Sequence, residues 1–334
     1  MQTRFDRRQW GRYFTRFAIL HVAAYLLVGS GALVLQDALA PADLVAIDYF
    51  EPYRLALWPV LIEGLRGLVL AAVFYPFYRL AADSTRSWWM LFLPLWGLTV
   101  IGSIDTWLGS IEGVIYTEIT PGAHLFFLAA SAIQYGLLVG GLRWVAQRRP
   151  IGTTQPDWMR DGGPTLGSLK FWGYLGRFTI VYICAYLVAG IAFFIIHDYG
   201  TVIPESGAFA LWRPLDHPFI QLAILFQVGR GALLGLLLFP LYSWFFGRDH
   251  GWLRLFGVFW GAIYLGTPAA VHNLVAEVLS SGPLSDLLFG TAELTVQLLG
   301  FAIVFWFWQR RRQSHVGIVG RLFKRVFTSP DSET

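Results

Sequence analysis

Residues 55–78 read LALWPVLIEGLRGLVLAAVFYPFY, and residues 219–246 read FIQLAILFQVGRGALLGLLLFPLYSWFF. Each is an apolar run interrupted by a single basic residue, Arg66 in the first and Arg230 in the second. A hydrocarbon layer of ~30 Å is crossed by about 20 helical residues, so both runs are long enough to span it. A charge inside such a run costs a few kcal/mol by insertion scales of about 2.5–3.5 kcal/mol, and therefore calls for a partner or a purpose.

Six further apolar runs have comparable length: 17–35, 88–108, 124–146, 178–196, 252–278 and 284–308. The whole chain is 56% hydrophobic and only 14% charged, with a mean hydropathy of +0.54. Soluble domains carry about 25% charged residues, so the bilayer is the expected solvent. The sequence thus predicts an all-α integral membrane protein with eight transmembrane helices.

Orientation follows from the excess of arginine and lysine in cytoplasmic loops. With the N-terminus inside, Arg4, Arg7, Arg8, Arg12, Arg16, Arg79, Arg86 and the group from Arg143 to Arg177 fall on the cytoplasmic side. So do Arg248, Arg254 and the tail from Arg310 to Arg325, which brings the total to 21 of 25 basic residues. Only Arg54 and Arg213 fall in the opposite loops, among acids such as Asp37, Asp48, Glu112, Glu118 and Asp216. Both termini are therefore expected inside, in a cell (plasma or inner) membrane. The triplet Ala38-Leu39-Ala40 resembles a signal cleavage site. Pro41 after it and the long basic segment before it predict that the first helix is retained.

Sliding the second half on the first aligns it at an offset of 161 in the first helix pair and 164 in the rest. Tyr13, Arg16 and Phe17 match Tyr174, Arg177 and Phe178. Arg66-Gly67, Pro76 and Tyr78 match Arg230-Gly231, Pro240 and Tyr242, and Trp96-Gly97 and Gly102 match Trp260-Gly261 and Gly266. Matched arginine, proline and tryptophan carry more weight than matched leucine. An even number of crossings per copy gives both copies the same orientation, as parallel repeats. The expected organisation is a basic N-terminal segment (1–16), a four-helix repeat (17–146), a cytoplasmic linker (147–170), a second four-helix repeat (171–309) and a basic tail (310–334). One apolar stripe in the tail, Val319, Leu322, Phe323 and Val326, predicts a short helix lying on an anionic inner leaflet.

Arg66 and Arg230 lie about ten residues into their helices, roughly 15 Å deep at about 1.5 Å per residue. Glu63 precedes Arg66, and Gln227 precedes Arg230, by three positions, which puts each pair on one helix face. Neutral Gln227 cannot balance Arg230, and Glu293 on the last helix is the expected carboxylate. Gln134, Gln297, Asp105, His272 and Glu277 join these residues as candidates in the outer half. The segments Gly102-Ser103-Ile104-Asp105 and Gly266-Thr267-Pro268-Ala269 occupy matching positions where a helix can unwind.

Two readings of the arginines follow. They line a cavity and bind an anionic group bidentately, or they are ion-paired clamps between helices. The first predicts binding or transport of a small anionic or polar solute. The second predicts a non-catalytic scaffold or subunit of a larger membrane complex, with a membrane-protein partner or a second copy of the chain. A third reading is an intramembrane lipid-modifying enzyme using Glu63, Asp105 or Glu277. Basic residues clustered at helix ends do not form a nucleic-acid surface. The histidines lack metal-ligand spacing, so neither haem nor a metal is implied. The single Cys184 excludes an intrachain disulfide, and the absence of lysine from the predicted spans excludes a retinal Schiff base.

Overall fold

The computed structural model describes residues 7–39, 57–82, 88–104, 106, 108–148, 164–198, 212–214, 216–247, 249–267 and 284–327. Among these the chain is all helical, apart from one antiparallel bridge between Thr117 and Trp212. The helices are α1 (Arg7–Leu39), α2 (Leu57–Ala82), α3 (Trp89–Ile101), α4 (Ile111–Tyr116), α5 (Pro121–Arg148) and α6 (Leu169–His197). They are followed by α7 (Pro218–Gln221), α8 (Ala223–Phe246), α9 (Gly251–Leu265) and α10 (Leu284–Phe327). Six of them, α1, α2, α5, α6, α8 and α10, are long and apolar enough to cross a membrane. The chain is a multi-pass membrane protein by this measure. Large apolar side chains such as Leu27, Ile133, Val188 and Leu225 point outward, as lipid permits and water would not.

Two helices depart from expectation. The run 88–108 is not one helix: α3 ends at Ile101, and Leu108 sits in the following turn. The run 252–278 likewise stops as α9 at Leu265, and 268–283 lie outside the described residues. At about 1.5 Å per residue a helix of this length rises only some 20 Å, short of the bilayer core. Both end in the same way. The last turn widens to π geometry over Gly97–Ile101 and Gly261–Leu265. The amides of Gly102 and Gly266 then close onto the carbonyls of Gly97 and Gly261 at 2.7 and 2.8 Å. The loop after α3 carries α4, which the apolar pattern did not predict. The helix α10 runs unbroken to Phe327, and the apolar stripe of the tail lies on its last turns.

α1 packs on α2 and α5, while α6 packs on α8 and α10. The two groups meet at the ends of the short helices. The π turn of α9 lies on α2, the π turn of α3 lies on α8, and the two π turns touch. Glycine makes this approach possible. A Cβ on Gly97 would stand 2.5 Å from Leu237, and one on Gly261 would stand 2.5 Å from Val73. The Ile104 amide crosses between the groups to the Ile263 carbonyl at 3.1 Å.

Several bonds between helices occur twice, about 161 or 164 positions apart. Tyr13 donates to the Ala71 carbonyl and Tyr174 to the Gly235 carbonyl, at 3.0 and 3.1 Å. Trp96 donates to Ser131 and Trp260 to Thr295, both at 3.1 Å. Around them the core is strongly aromatic, with Phe178, Phe259, Phe301 and Phe305 in mutual contact.

Candidate functional site

A helix that ends inside a bundle leaves carbonyls without intrahelical partners, and the negative end of its dipole faces whatever comes next. In this chain an arginine comes next, in both places. Arg66 of α2 donates through Nε and Nη2 to the Gly266 carbonyl, at 3.2 and 3.0 Å, just beyond α9. Arg230 of α8 donates through Nε and Nη2 to the Gly102 carbonyl, at 3.3 and 3.0 Å, just beyond α3. Nη2 of Arg230 also reaches the Ser103 carbonyl at 2.8 Å. Each guanidinium thus caps a short helix that belongs to the opposite group. Both are buried: Arg230 is 0% and Arg66 3% exposed.

The counter-charges come from different places. Arg66 pairs with Glu63 one turn before it, at 3.1 Å, as the three-residue spacing predicts. Glu63 is held in turn by His21 Nε2 on α1, at 2.9 Å. Arg66 also donates to the Tyr135 hydroxyl on α5 at 2.7 Å, which lies 2.8 Å from the Thr99 hydroxyl. Arg230 pairs with Glu112 on α4, and Gln227 both donates to that carboxylate at 3.0 Å and accepts from Arg230 at 3.3 Å. The Tyr182 hydroxyl donates to Gln227 at 3.3 Å, and the Tyr182 ring lies 5.7 Å from the Arg230 guanidinium carbon. Burial pushes the Glu112 carboxyl above its ordinary range, opposed by the charge of Arg230 and the bond from Gln227.

The carboxylate sought on Glu293 is therefore supplied by Glu112. Glu293 lies on α10, part-buried, where its charge is felt at Tyr116. Gln134 and Gln297 lie on α5 and α10, and among the described residues the side-chain nitrogen of each is buried without a hydrogen-bond partner. Neither glutamine is bonded to an arginine of the site. Asp105, His272 and Glu277 lie outside the described residues. Four functional side chains were not singled out from sequence: His21, Tyr135, Tyr182 and Glu112. His21 and Tyr182 are 161 positions apart and pair with Glu63 and Gln227, 164 apart, so the offsets contain a signal for them.

No family model matches the chain, and no curated protein or solved structure is significantly similar to it. The chemistry of the site rests on its own geometry.

A guanidinium has five N–H donors. At Arg230 the five bonds to Gly102 (twice), Ser103, Gln227 and Glu112 use one donor on Nε and two on each terminal nitrogen. Such an arginine has no donor left for a ligand. What it can do is neutralise a carboxylate, satisfy the orphan carbonyls of a short helix, and fasten one helix group to the other.

Proposed function

We propose that this chain is a non-catalytic scaffold or subunit of a larger complex in the cell membrane, made of two four-helix repeats in the same orientation, with both termini cytoplasmic. The observation that carries the reading is the complete engagement of Arg230 by groups of its own chain. A solute carrier that used this arginine as its ligand would need free donors facing a cavity. The paired bonds of Tyr13 and Tyr174, Trp96 and Trp260, and Arg66 and Arg230 support the repeat reading. In that reading α3 and α9 each begin a crossing that the chain after them completes, and eight crossings result. Irregular backbone at membrane depth is tolerated where protein buries it, and the reciprocal arginine caps meet that condition.

A scaffold role predicts a defined assembly. Crosslinking of the tagged full chain in its native membrane should give one discrete complex of fixed stoichiometry, either with a second copy or with another membrane protein. A chain that stays monomeric and carries a saturable anion flux, abolished in an Arg230→Gln variant that still folds, would return the reading to transport.

Topology has its own test. In a Cys184→Ala background, a cysteine at Glu118 is expected to react with an impermeant maleimide on intact cells. One at Ser332 should react only after lysis. The opposite pattern would invert the orientation.

A second reading, binding of a small polar solute in the outer half, is favoured by the unpartnered amide nitrogens of Gln134 and Gln297. In that case the glutamines, and not the arginines, are the ligands. Their replacement by leucine should then abolish solute binding while leaving the melting temperature within a few degrees of the parent protein.

A further inference from the structure

The end of the bundle where α5 and α8 begin holds an excess of hydrogen-bond donors. Segment 108–120 organises it. Ser110 caps α4 by accepting from the Gly113 amide at 2.8 Å. Gly109, with a φ of +78° that favours glycine, turns its amide onto His124 Nδ1 at 3.0 Å. The Tyr116 carbonyl accepts from the Arg213 amide at 2.8 Å, Thr117 bridges Trp212, and the Tyr116 and Trp212 rings stack. One loop thus holds both His124, through Gly109, and Arg213, through Tyr116.

The proton of the His124 ring can be located from its partner. Nδ1 accepts from Gly109, so in the neutral ring the hydrogen sits on Nε2. Among the described residues that Nε2 is buried without a partner, in a residue only 5% exposed. Arg213 Nε is likewise buried without a partner. His217 adds a third donor contact. Its Nδ1 faces the Phe219 amide at 3.2 Å and its Nε2 faces Arg213 Nη1 at 3.1 Å. A neutral imidazole accepts at one nitrogen only, so one of these contacts sets donor against donor. Among the described residues the neighbouring acids do not relieve it: Glu118 and Asp216 are exposed and bond neither residue, and Glu112 is engaged by Arg230. Leaving buried donors unmet is costly, and the group that best satisfies donors of this kind is an anionic acceptor.

We propose that Arg213, His124 and His217 form a binding site for a small oxyanion, a carboxylate or a phosphate, at the end of the bundle that the proposed topology makes the outer one. The site is separate from the Arg66 and Arg230 caps and does not depend on the scaffold reading.

The test is calorimetric titration of the full chain in lipid nanodiscs with sodium phosphate and, separately, sodium acetate, each against chloride at equal ionic strength. Saturable binding of at least one anion, one per chain, is expected, and the preferred anion tells phosphate from carboxylate chemistry. Arg213→Gln should weaken that binding about tenfold or more, the order expected for losing a charge-assisted bond. Arg213→Lys, which keeps the charge but not the Nε donor, should weaken it too. If Arg213→Gln does not fold, His217→Gln is the second variant and should also bind more weakly. Binding of neither anion above the chloride control, or equal binding by the folded variants, would overturn the proposal.

Discussion

Arg230→Gln is expected to destabilise the folded chain by about 3–5 kcal/mol, the usual cost of removing one partner from a buried ion pair. Three losses coincide at this site. Glu112 is left as a buried carboxylate with no counter-charge, while the Gly102 and Ser103 carbonyls lose their donors and Gln227 loses a partner. Arg230→Lys should recover little of it, because an ammonium is a point charge and cannot reproduce a planar fork that spans two carbonyls and a carboxylate. Arg66→Gln should cost less than Arg230→Gln, since Glu63 keeps its bond to His21. Reversible unfolding in mixed micelles measures all three variants. Melting of Arg230→Gln within one degree of the parent would remove the structural role assigned to this arginine.

Gly266→Ala is expected to cost about 1–3 kcal/mol, as an added carbon forced into a packed site. Its Cβ would stand 2.7 Å from the Ala262 carbonyl oxygen and 3.1 Å from that of Gly261, both backbone atoms of the π turn, with Leu70 of α2 at 3.0 Å. The backbone cannot yield as the tip of a side chain can. Any shift moves the Gly266 carbonyl that Arg66 caps, so the substitution should also weaken the bond between the two helix groups. Gly229→Ala is the control. A Cβ there meets nothing within 4 Å, and alanine in a helix is favoured over glycine by about 1 kcal/mol. Its melting temperature should stay level or rise. Equal melting of Gly266→Ala and Gly229→Ala would contradict the tight approach described for the π turn.

The apolar runs were legible because length against bilayer thickness is a one-dimensional property. Arg66 and Arg230 were legible for the same reason: a charge within such a run is conspicuous. Glu63 followed from helical spacing alone. The breaks after Ile101 and Leu265 were signalled by Gly102 and Gly266, but a glycine in an apolar run is usually only a kink, so hydropathy carried both helices too far. Glu112 was the residue that could not be read. It lies in a polar connection where an acid is ordinary, on a helix of six residues, and its partner is 118 positions away. A contact of that kind depends on tertiary packing, which no periodicity records. The grouping of His124 with Arg213 was missed for the same reason, since only the fold ties segment 108–120 to both.

A double-mutant cycle on Glu112 and Arg230 measures most directly whether this arginine is a clamp. The chains compared are the parent, Glu112→Gln, Arg230→Gln and the double variant, unfolded reversibly under one set of conditions. With the pair locked together, the double variant should be more stable than the two single costs added would allow, by a coupling of about 2 kcal/mol or more. Strict additivity, with no coupling between the two positions, would mean that the carboxylate and the guanidinium act independently and that the two helix groups are held together by something else.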